Sequence, residues 1–543
     1  MSEKSHQTIV VGGGMSGLTA AAYLSKTGHD VLLLEKNKGC GGLLNSFQRE
    51  GFTFDAGARS ILNAGIIHPM LKELGIELEF LDSPVSIGIE NDVINLDSKT
   101  SLDDYKRLLE KLYPESINDI DKIISKIEGI MKDMAILYGI DNPNFRDMKN
   151  DRAYLKELLP WLGKFIFALR RMNRQNEPVE SFLEKLSSNQ SLIDIIAQHF
   201  FKKTPTFFAL GYFYAYTDYI YPRGGTGELP KAIMEKIIEK DGKIQTGTKI
   251  VKVNLSEKEV KDKDGNSYSF DSLIWSADLK TLYRILDTRG LDEKITRKIF
   301  EQKELLLSKH GCDSVYSMFI GVDMPLEAFS SISNGHFFYT PSKKGLGELH
   351  WSELDSLIEN YETTSREQIL QWLNKYCQLT TYEISIPAFR NPALAPEGKT
   401  GLVISMLFEY DLMKKVKDAN WYEEFRIEIE NRMLDTLSNS IYPGLKDKVI
   451  FQSSSTPLSI ESVAGSSEGA IVGWSYKSPV PVVNNLRKIS SSVKTSIPNV
   501  YQAGQWAYSP AGIPTAILTG WYAAKNAMKT KNEKKLKREK TEV

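Results

Sequence analysis

Cysteine is scarce in this chain: Cys40, Cys312 and Cys377 are the only three among 543 residues. They stand far apart without paired ligand spacing, which argues against a disulfide framework or a zinc ribbon and fits a reducing compartment. Histidine is sparse too, seven in all, with no cluster of serine, histidine and acid, so no metal centre or hydrolytic triad is expected. Lysine plus arginine nearly equals aspartate plus glutamate, 68 against 69, and this balance offers no field that recruits nucleic acid. No run of eighteen apolar residues exists, so no segment is expected to span a membrane. Met1 to Gln7 is short and polar without a signal-peptide pattern, and a cytoplasmic setting is expected.

What is present begins almost at once. Gly12-Gly13-Gly14-Met15-Ser16-Gly17 follows the apolar run Thr8 to Val11 and precedes the helical run Leu18 to Thr27. In that context Gly12 permits the tight strand-to-helix turn, Gly14 lets a pyrophosphate approach the backbone, and Gly17 lets the helix pack on the sheet. The diphosphate would sit on the helix N-terminus. A second strand, Asp30 to Leu34, ends at Glu35, eighteen residues past Gly17, where a carboxylate takes ribose hydroxyls. Gly224-Gly225-Thr226-Gly227 lacks this spacing, so a second dinucleotide domain for a nicotinamide is not expected and the electron partner stays open.

The length calls for more than one domain, interleaved in sequence. Residues 1–100, 222–285 and 496–530 are expected to build an interrupted nucleotide domain of α/β class. Residues 101–221, with apolar spacing of three and four, read as a helical insertion. Residues 286–495 carry strand patterns at Ser314 to Val322 and Tyr382 to Phe408, the mark of a second, mixed-sheet domain. Residues 531–543 form a lysine-rich tail, either a solvated helix end or a contact for anionic lipid.

Four blocks, Ile9 to Glu35, Gly41 to Arg59, Tyr221 to Ile233 and Asn499 to Gly520, together resemble the flavin oxidoreductases of the phytoene desaturase, carotenoid isomerase and retinol saturase type, within the flavin amine oxidase superfamily. Pro222-Arg223-Gly224-Gly225, Pro392 to Gly398 and Gly512-Ile513-Pro514 are the more specific pieces. The resemblance implies a Rossmann-type domain that binds FAD and a second domain that holds an apolar tunnel. It implies cofactor contacts from Gly12, Gly14, Met15, Ser16, Gly17, Glu35, Lys36, Gly41, Gly42, Leu43, Gly57, Ala58, Arg59, Ile250, Gly504, Gln505, Gly512, Ile513 and Pro514. Two departures stand out: Gln505 replaces a common acidic residue, and Ala58-Arg59 replaces a common Gly-Pro.

Flavins exchange hydride with carbon, so few acid-base residues are needed. Arg59 is the candidate catalytic residue of the cofactor loop, binding a substrate carboxylate or the flavin's carbonyl edge, or else tying two loops as a salt bridge. Trp506 and Tyr508 line a substrate channel or belong to the core. His310, His336 and His350 are candidate proton donors, or packing histidines. The aromatic run Phe207 to Tyr221 offers rings to an apolar polyene, or fills an interdomain helix. Trp161 to Arg174, read as a helix opened by Pro160, places Trp161, Leu162, Phe165, Ile166, Leu169 and Met172 on one face, a pattern for peripheral membrane contact on the inner leaflet or for core packing. The expected activity is removal, addition or shift of double bonds in an isoprenoid or other apolar lipid. Amine oxidation, and flavin binding without turnover, are the alternatives.

Overall fold

The computed structural model describes residues 4–96, 101–148 and 150–541. Two large sheets organise them. The first is ordered Lys243–Gln245, Val31–Leu34, Lys4–Val11, Ser267–Trp275, Glu259–Asp262, Ile250–Asn254 and Leu286–Asp287, with Val500–Gln502 also paired to Ser267–Trp275. Its nucleotide-side neighbours are parallel, from Lys243–Gln245 through Val31–Leu34, Lys4–Val11 and Ser267–Trp275 to Val500–Gln502. Every residue of Val31–Leu34 is buried, as expected for a strand covered on both faces. Three distant stretches of chain therefore close one interrupted Rossmann-type sheet.

Helix Met15–Lys26 covers one face of this sheet and packs along the closing helix, Ile513–Thr541. Gly520 makes the approach close, because a Cβ there would lie 2.2 Å from the carbonyl oxygen of Ser16. The lysine-rich end expected as a tail continues the closing helix to Thr541, and its side chains from Thr530 on lie outside the described residues.

The second sheet is mixed and seven-stranded, ordered Val449–Ser455, Ser314–Val322, Thr400–Phe408, Tyr382–Ser385, His336–Thr340, Val85–Ile89 and Asp92–Leu96. Its last two strands come from the stretch expected in the first nucleotide segment. Val85–Ile89 is buried throughout and pairs in parallel with His336–Thr340, so its backbone is satisfied here and not in the first sheet. One face packs Met318, Phe337, Ile384 and Ile404 into a large apolar core. The other face overlooks the site described below.

The helical region, including Ser101–Leu112, Ile117–Tyr138 and Arg152–Met172, shares its core with strands Val85–Ile89 and Asp92–Leu96 at the edge of the second sheet. The last of these corrects the expectation for residues 161–174. It starts at Arg152, with the Asp151 carboxylate accepting from the Tyr154 N–H at 3.0 Å, and runs through Pro160 instead of beginning there. Leu169 and Met172 turn inward to the helical core, Trp161 and Phe165 stack on each other half-buried, and Leu159, Leu162, Ile166 and Phe167 face outward. Among the described residues no helix is long and apolar enough to cross a membrane.

Candidate active site

A single cavity of about 930 Å³ begins at the C-terminal ends of the parallel strands, where Gly12, Glu35, Ser276 and Gly504 line it, and continues between the second sheet and the helices. Ligands of open α/β sheets bind at this end of the strands.

The glycines of the first turn divide the labour. Gly12 has φ +104°, and a Cβ there would sit 2.8 Å from the Ser276 carbonyl oxygen; a Cβ on Gly17 would lie 1.9 Å from the Gly12 carbonyl oxygen. These two close the turn. A Cβ on Gly14 meets nothing within 4 Å, so its free side opens on the cavity. Gly13 is a requirement the sequence reading overlooked: its Cβ would strike Cys40 Sγ at 2.6 Å and crowd Glu35. Glu35 accepts from the Gly13 N–H at 2.7 Å on one oxygen and from the Asn37 N–H at 2.8 Å on the other. A carboxylate has about four lone-pair sites, so this one is held rigidly while retaining acceptor capacity.

Two loops continue the wall. The Gly41 N–H donates to the Gly13 carbonyl at 2.8 Å, and the Ala58 N–H donates to the Leu43 carbonyl at 3.1 Å. A Cβ on Gly57 would lie 1.9 Å from that same Leu43 oxygen, which is why the loops meet only through glycine. Asp55 pins the Tyr221-to-Gly227 motif beside them, accepting from the Tyr221 hydroxyl, the Thr226 N–H and the hydroxyls of Thr226 and Ser46 at 2.8 to 2.9 Å. Opposite, Gly512, Ile513 and Pro514 present the first turn of the closing helix to the cavity, with Pro514 lacking an N–H where none has an intrahelical acceptor.

The far half of the cavity is lined by Met134, Leu169, Met172, Phe207, Phe208, Tyr212, Tyr216 and Tyr219 from the helical region. Its other wall is the second sheet. Register places Phe338, Glu383, Ser405, Ser317 and Ser455 side by side across five strands, and all five line the cavity. Side chains on one rung of a sheet share a face, so this is a polar stripe in an otherwise apolar wall.

These features bear on what the chain is. A profile of flavin containing amine oxidoreductases matches residues 15–373, most of the chain. The chain belongs to that family. Two relatives span nearly its whole length: all-trans-retinol 13,14-reductase of Danio rerio, 21% identical over 92% of this chain and 82% of its own, and the 4,4'-diaponeurosporene-forming 4,4'-diapophytoene desaturase of Staphylococcus aureus strain COL, 21% identical over 94% and 96%. A cofactor-binding redesign of putrescine oxidase shares the fold at TM-score 0.60, with 12% identity over 97% of this chain and 99% of that one. This flavin oxidoreductase is thus of the phytoene desaturase and retinol saturase-like kind, and its cofactor is FAD. The cradle fits that group, since Gly14 leaves open the side where a diphosphate must approach and Glu35 presents a fixed carboxylate next to it.

In this flavin oxidoreductase Arg59 ties its own loop to the second sheet. Its Nη1 donates to the Asp55 carbonyl at 2.9 Å and to the Gly57 carbonyl, while its Nη2 donates to Ser405 Oγ at 2.7 Å and Ser317 Oγ at 3.2 Å. No carboxylate lies within ion-pair distance among the described residues, so the expected alternative of a loop-to-loop salt bridge is not formed. Burial pulls the Arg59 pKa below its usual value, opposed by the negative charges of Glu383 and then Asp55. A guanidinium keeps its proton regardless.

His336 is the one of the three candidate histidines that reaches the cavity; His310 and His350 lie away from it. Burial lowers the His336 pKa, leaving a neutral ring whose Nε2 donates to Glu383 at 2.9 Å. Glu383 is pulled both ways: desolvation raises its pKa, but the His336 hydrogen bond and the nearby Arg59 and Arg390 charges prevail and hold it ionised below the usual carboxylate value. His199, which the sequence reading passed over, lines the same space with its pKa lowered by burial to about 4.

Trp506 and Tyr508 both line the cavity, yet they pack into different cores. Trp506 meets Trp474 edge-on at 4.8 Å, and Tyr508 joins the cluster of the first and closing helices. No ring contact joins the two among the described residues. Met15, Ser16, Lys36, Ile250 and Gln505 line the cavity. Lys36 spends its ammonium on the Ser462 carbonyl at 2.8 Å, and Gln505 donates to Ser466 Oγ at 3.1 Å. The polar stripe was missed, although Glu383, Ser317 and Ser405 interrupt strands that are otherwise apolar, which is its only signal in the sequence. Cys40, Cys312 and Cys377 are all buried thiols, each pushed by desolvation up to about 12 and so kept un-ionised.

Proposed function

We propose that this protein is an FAD-dependent oxidoreductase that removes, adds or shifts carbon–carbon double bonds in a long isoprenoid or related apolar lipid. The observation that carries the reading is the continuity of one cavity from the Gly12-to-Gly17 turn into a compartment walled by Met134, Leu169, Phe207, Phe208 and Tyr216. The two relatives named above act, by their names, on a retinoid and on a carotenoid precursor. When bound, flavin supplies hydride exchange with carbon. The chain's own residues would hold it and keep water out: Gly12, Gly14 and Glu35 would take the ADP half, Gly41 and Gly42, which lie against Gly13 and Gly14, would meet the diphosphate, and the helix starting at Ile513 would aim its positive end at the ring. Anaerobic mixing of the photoreduced or oxidised holoenzyme with a panel of isoprenoids tests this. Bleaching or recovery of the flavin band, or a shifted double bond in the recovered lipid, is expected with at least one of them, and neither response with any overturns it.

Amine oxidation fits the lining less well. Trp506 and Tyr508 pack into different cores instead of closing a short pocket, and the cavity runs on into a long, largely apolar compartment.

Access for such a substrate points to a membrane surface. Helix Arg152–Met172 exposes Leu159 (68%), Leu162 (40%), Ile166 (43%) and Phe167 (58%) next to Lys164, Arg170 and Arg174, while its inner residues Leu169 and Met172 wall the cavity. An apolar strip rimmed by cations is what settles a helix in an anionic bilayer interface. One helix would then serve both the lipid and the tunnel.

A further inference from the structure

The polar stripe needs a ligand. Ser317 Oγ and Ser405 Oγ lie 2.8 Å apart, and both accept from Arg59 Nη2. Two hydroxyls carry two hydrogens; one bridges the pair, and the other has no protein acceptor among the described residues. Next to Ser405 on the same rung stands Glu383. Its Oε1 accepts from His336, and no protein donor reaches Oε2 among the described residues. Glu383 lies deep in the protein, yet 34% of its side-chain surface is accessible, and it lines the cavity, so that surface is cavity wall. A spare donor and a spare acceptor thus adjoin in an apolar chamber.

The direction of the hydrogen bonds behind Glu383 is settled by Arg390, which can only donate. Arg390 Nε donates to Ser83 Oγ at 3.0 Å, Ser83 and Ser60 hydroxyls lie 2.6 Å apart, and Ser60 Oγ lies 3.0 Å from His336 Nδ1. With a neutral ring donating from Nε2, the chain runs Arg390, Ser83, Ser60, His336, Glu383, each hydroxyl accepting once and donating once. It ends on a carboxylate that faces the chamber as an acceptor. Charge balances across the group: Arg59 and Arg390 against Asp55 and Glu383. An anionic head would break that balance in a buried site, and a carbonyl head has no hydrogen to give Glu383. A hydroxyl gives and takes at one atom.

We propose that Glu383 with the Ser317–Ser405 pair is a binding site for a substrate hydroxyl, so that the apolar chain carries a terminal alcohol. This rests on the reading above that an apolar chain enters the cavity. Arg59 and His336 are positioning residues here, holding the serines and the carboxylate.

The test titrates the oxidised holoenzyme with geranylgeraniol, its aldehyde, its carboxylic acid and the hydrocarbon of equal chain, at matched mole fraction in phosphatidylcholine vesicles, reading the flavin absorbance shift. The alcohol should half-saturate at about 10- to 100-fold lower mole fraction than the hydrocarbon, the range of a hydrogen bond to a charged group. The aldehyde should fall between them, and the acid should bind less tightly than the alcohol. In Glu383→Gln and in Ser405→Ala the alcohol advantage should drop about tenfold with hydrocarbon binding held within about twofold. The comparison of ligands on the unaltered protein stands even if a variant misfolds. Equal binding of alcohol and hydrocarbon, or tightest binding of the acid, overturns the hydroxyl site and leaves the apolar-chain reading intact. No shift with any of the four overturns both.

Discussion

Arg59 Nη2 donates to Ser405 Oγ at 2.7 Å, joining residues 346 apart in sequence. This bond links the loop that flanks the nucleotide cradle to the centre of the second sheet. Arg59 is 4% exposed and its Nε has no partner among the described residues, so the bridge places a fixed positive charge in a largely apolar interior. Arg59→Lys keeps the charge but loses the planar fork, and lysine cannot reach the two serines and its own loop carbonyls together. We expect kcat/KM to fall about 10- to 100-fold, the equivalent of one or two charge-assisted hydrogen bonds. Arg59→Ala should also lower Tm, because Glu383 then loses one of the two arginine charges that hold it ionised. Wild-type kinetics in both variants would leave Arg59 without a role.

The glycine turn separates a ligand effect from a folding effect. Gly14→Val puts a side chain into open space, so the protein should fold yet bind no flavin. Gly17→Ala drives a methyl to 1.9 Å from the Gly12 carbonyl oxygen, so loss of the fold itself is expected. The ratio of flavin to protein absorbance, read next to circular dichroism, distinguishes the two. A flavin-replete Gly14→Val protein would contradict the placement of the diphosphate.

Released cofactor should be FAD by mass spectrometry, because on the reading proposed above Glu35 and the cavity wall around Ile250 would serve the adenosine half that FMN lacks. Glu35→Ala strips acceptors from the Gly13 and Asn37 N–H groups and removes the carboxylate proposed for the ribose. A loss of about 1–3 kcal/mol in stability is expected for those orphaned donors, with weaker FAD retention. Denaturant melts and dialysis measure the two separately.

Membrane attachment should depend on the outward strip of Arg152–Met172. Leu162→Glu with Ile166→Glu should abolish flotation with anionic vesicles and leave Tm nearly unchanged, since both side chains are already exposed. Phe165→Glu is a poorer probe because that ring stacks on Trp161 at 4.4 Å. Undiminished flotation of the folded double variant would remove this helix from the membrane reading.

His199 gives a pH signature. Its folded pKa, about 4, lies below the ordinary 6.5, so below pH 6.5 the unfolded chain binds the proton that the folded one refuses. Stability from this group is complete above pH 6.5 and is lost as pH falls towards 4. Between pH 7 and 5 it should drop by about 2 kcal/mol, and His199→Leu should remove that share of the slope in urea melts at the two pH values. An unchanged slope would show that the ring is protonated where it stands.

The sequence carried the nucleotide half in readable form because that site is local. Strand, glycine turn, helix and Glu35 are set within 35 residues, and the chemistry lies in the backbone, which glycine and helix periodicity report directly. The strand Ser314–Val322 and the onset of the closing helix at Ile513 were legible for the same reason. The helix through Pro160 was half legible: its amphipathic periodicity is there, but which face meets the core depends on what packs against it. Only the fold decided that Leu169 and Met172 go inward and Leu159 and Ile166 outward.

The substrate half belonged to tertiary structure. Ser317, Glu383 and Ser405 sit on three strands separated by loops and helices, and nothing in a one-dimensional pattern reveals which residues of those strands share a rung. Strand register decides it, because shifting one strand by a single residue would turn its polar side chain to the opposite face. Sequence alone determined that this chain builds a dinucleotide cradle; strand pairing and the reach of Arg59 across the interior determined what faces the cavity beyond it.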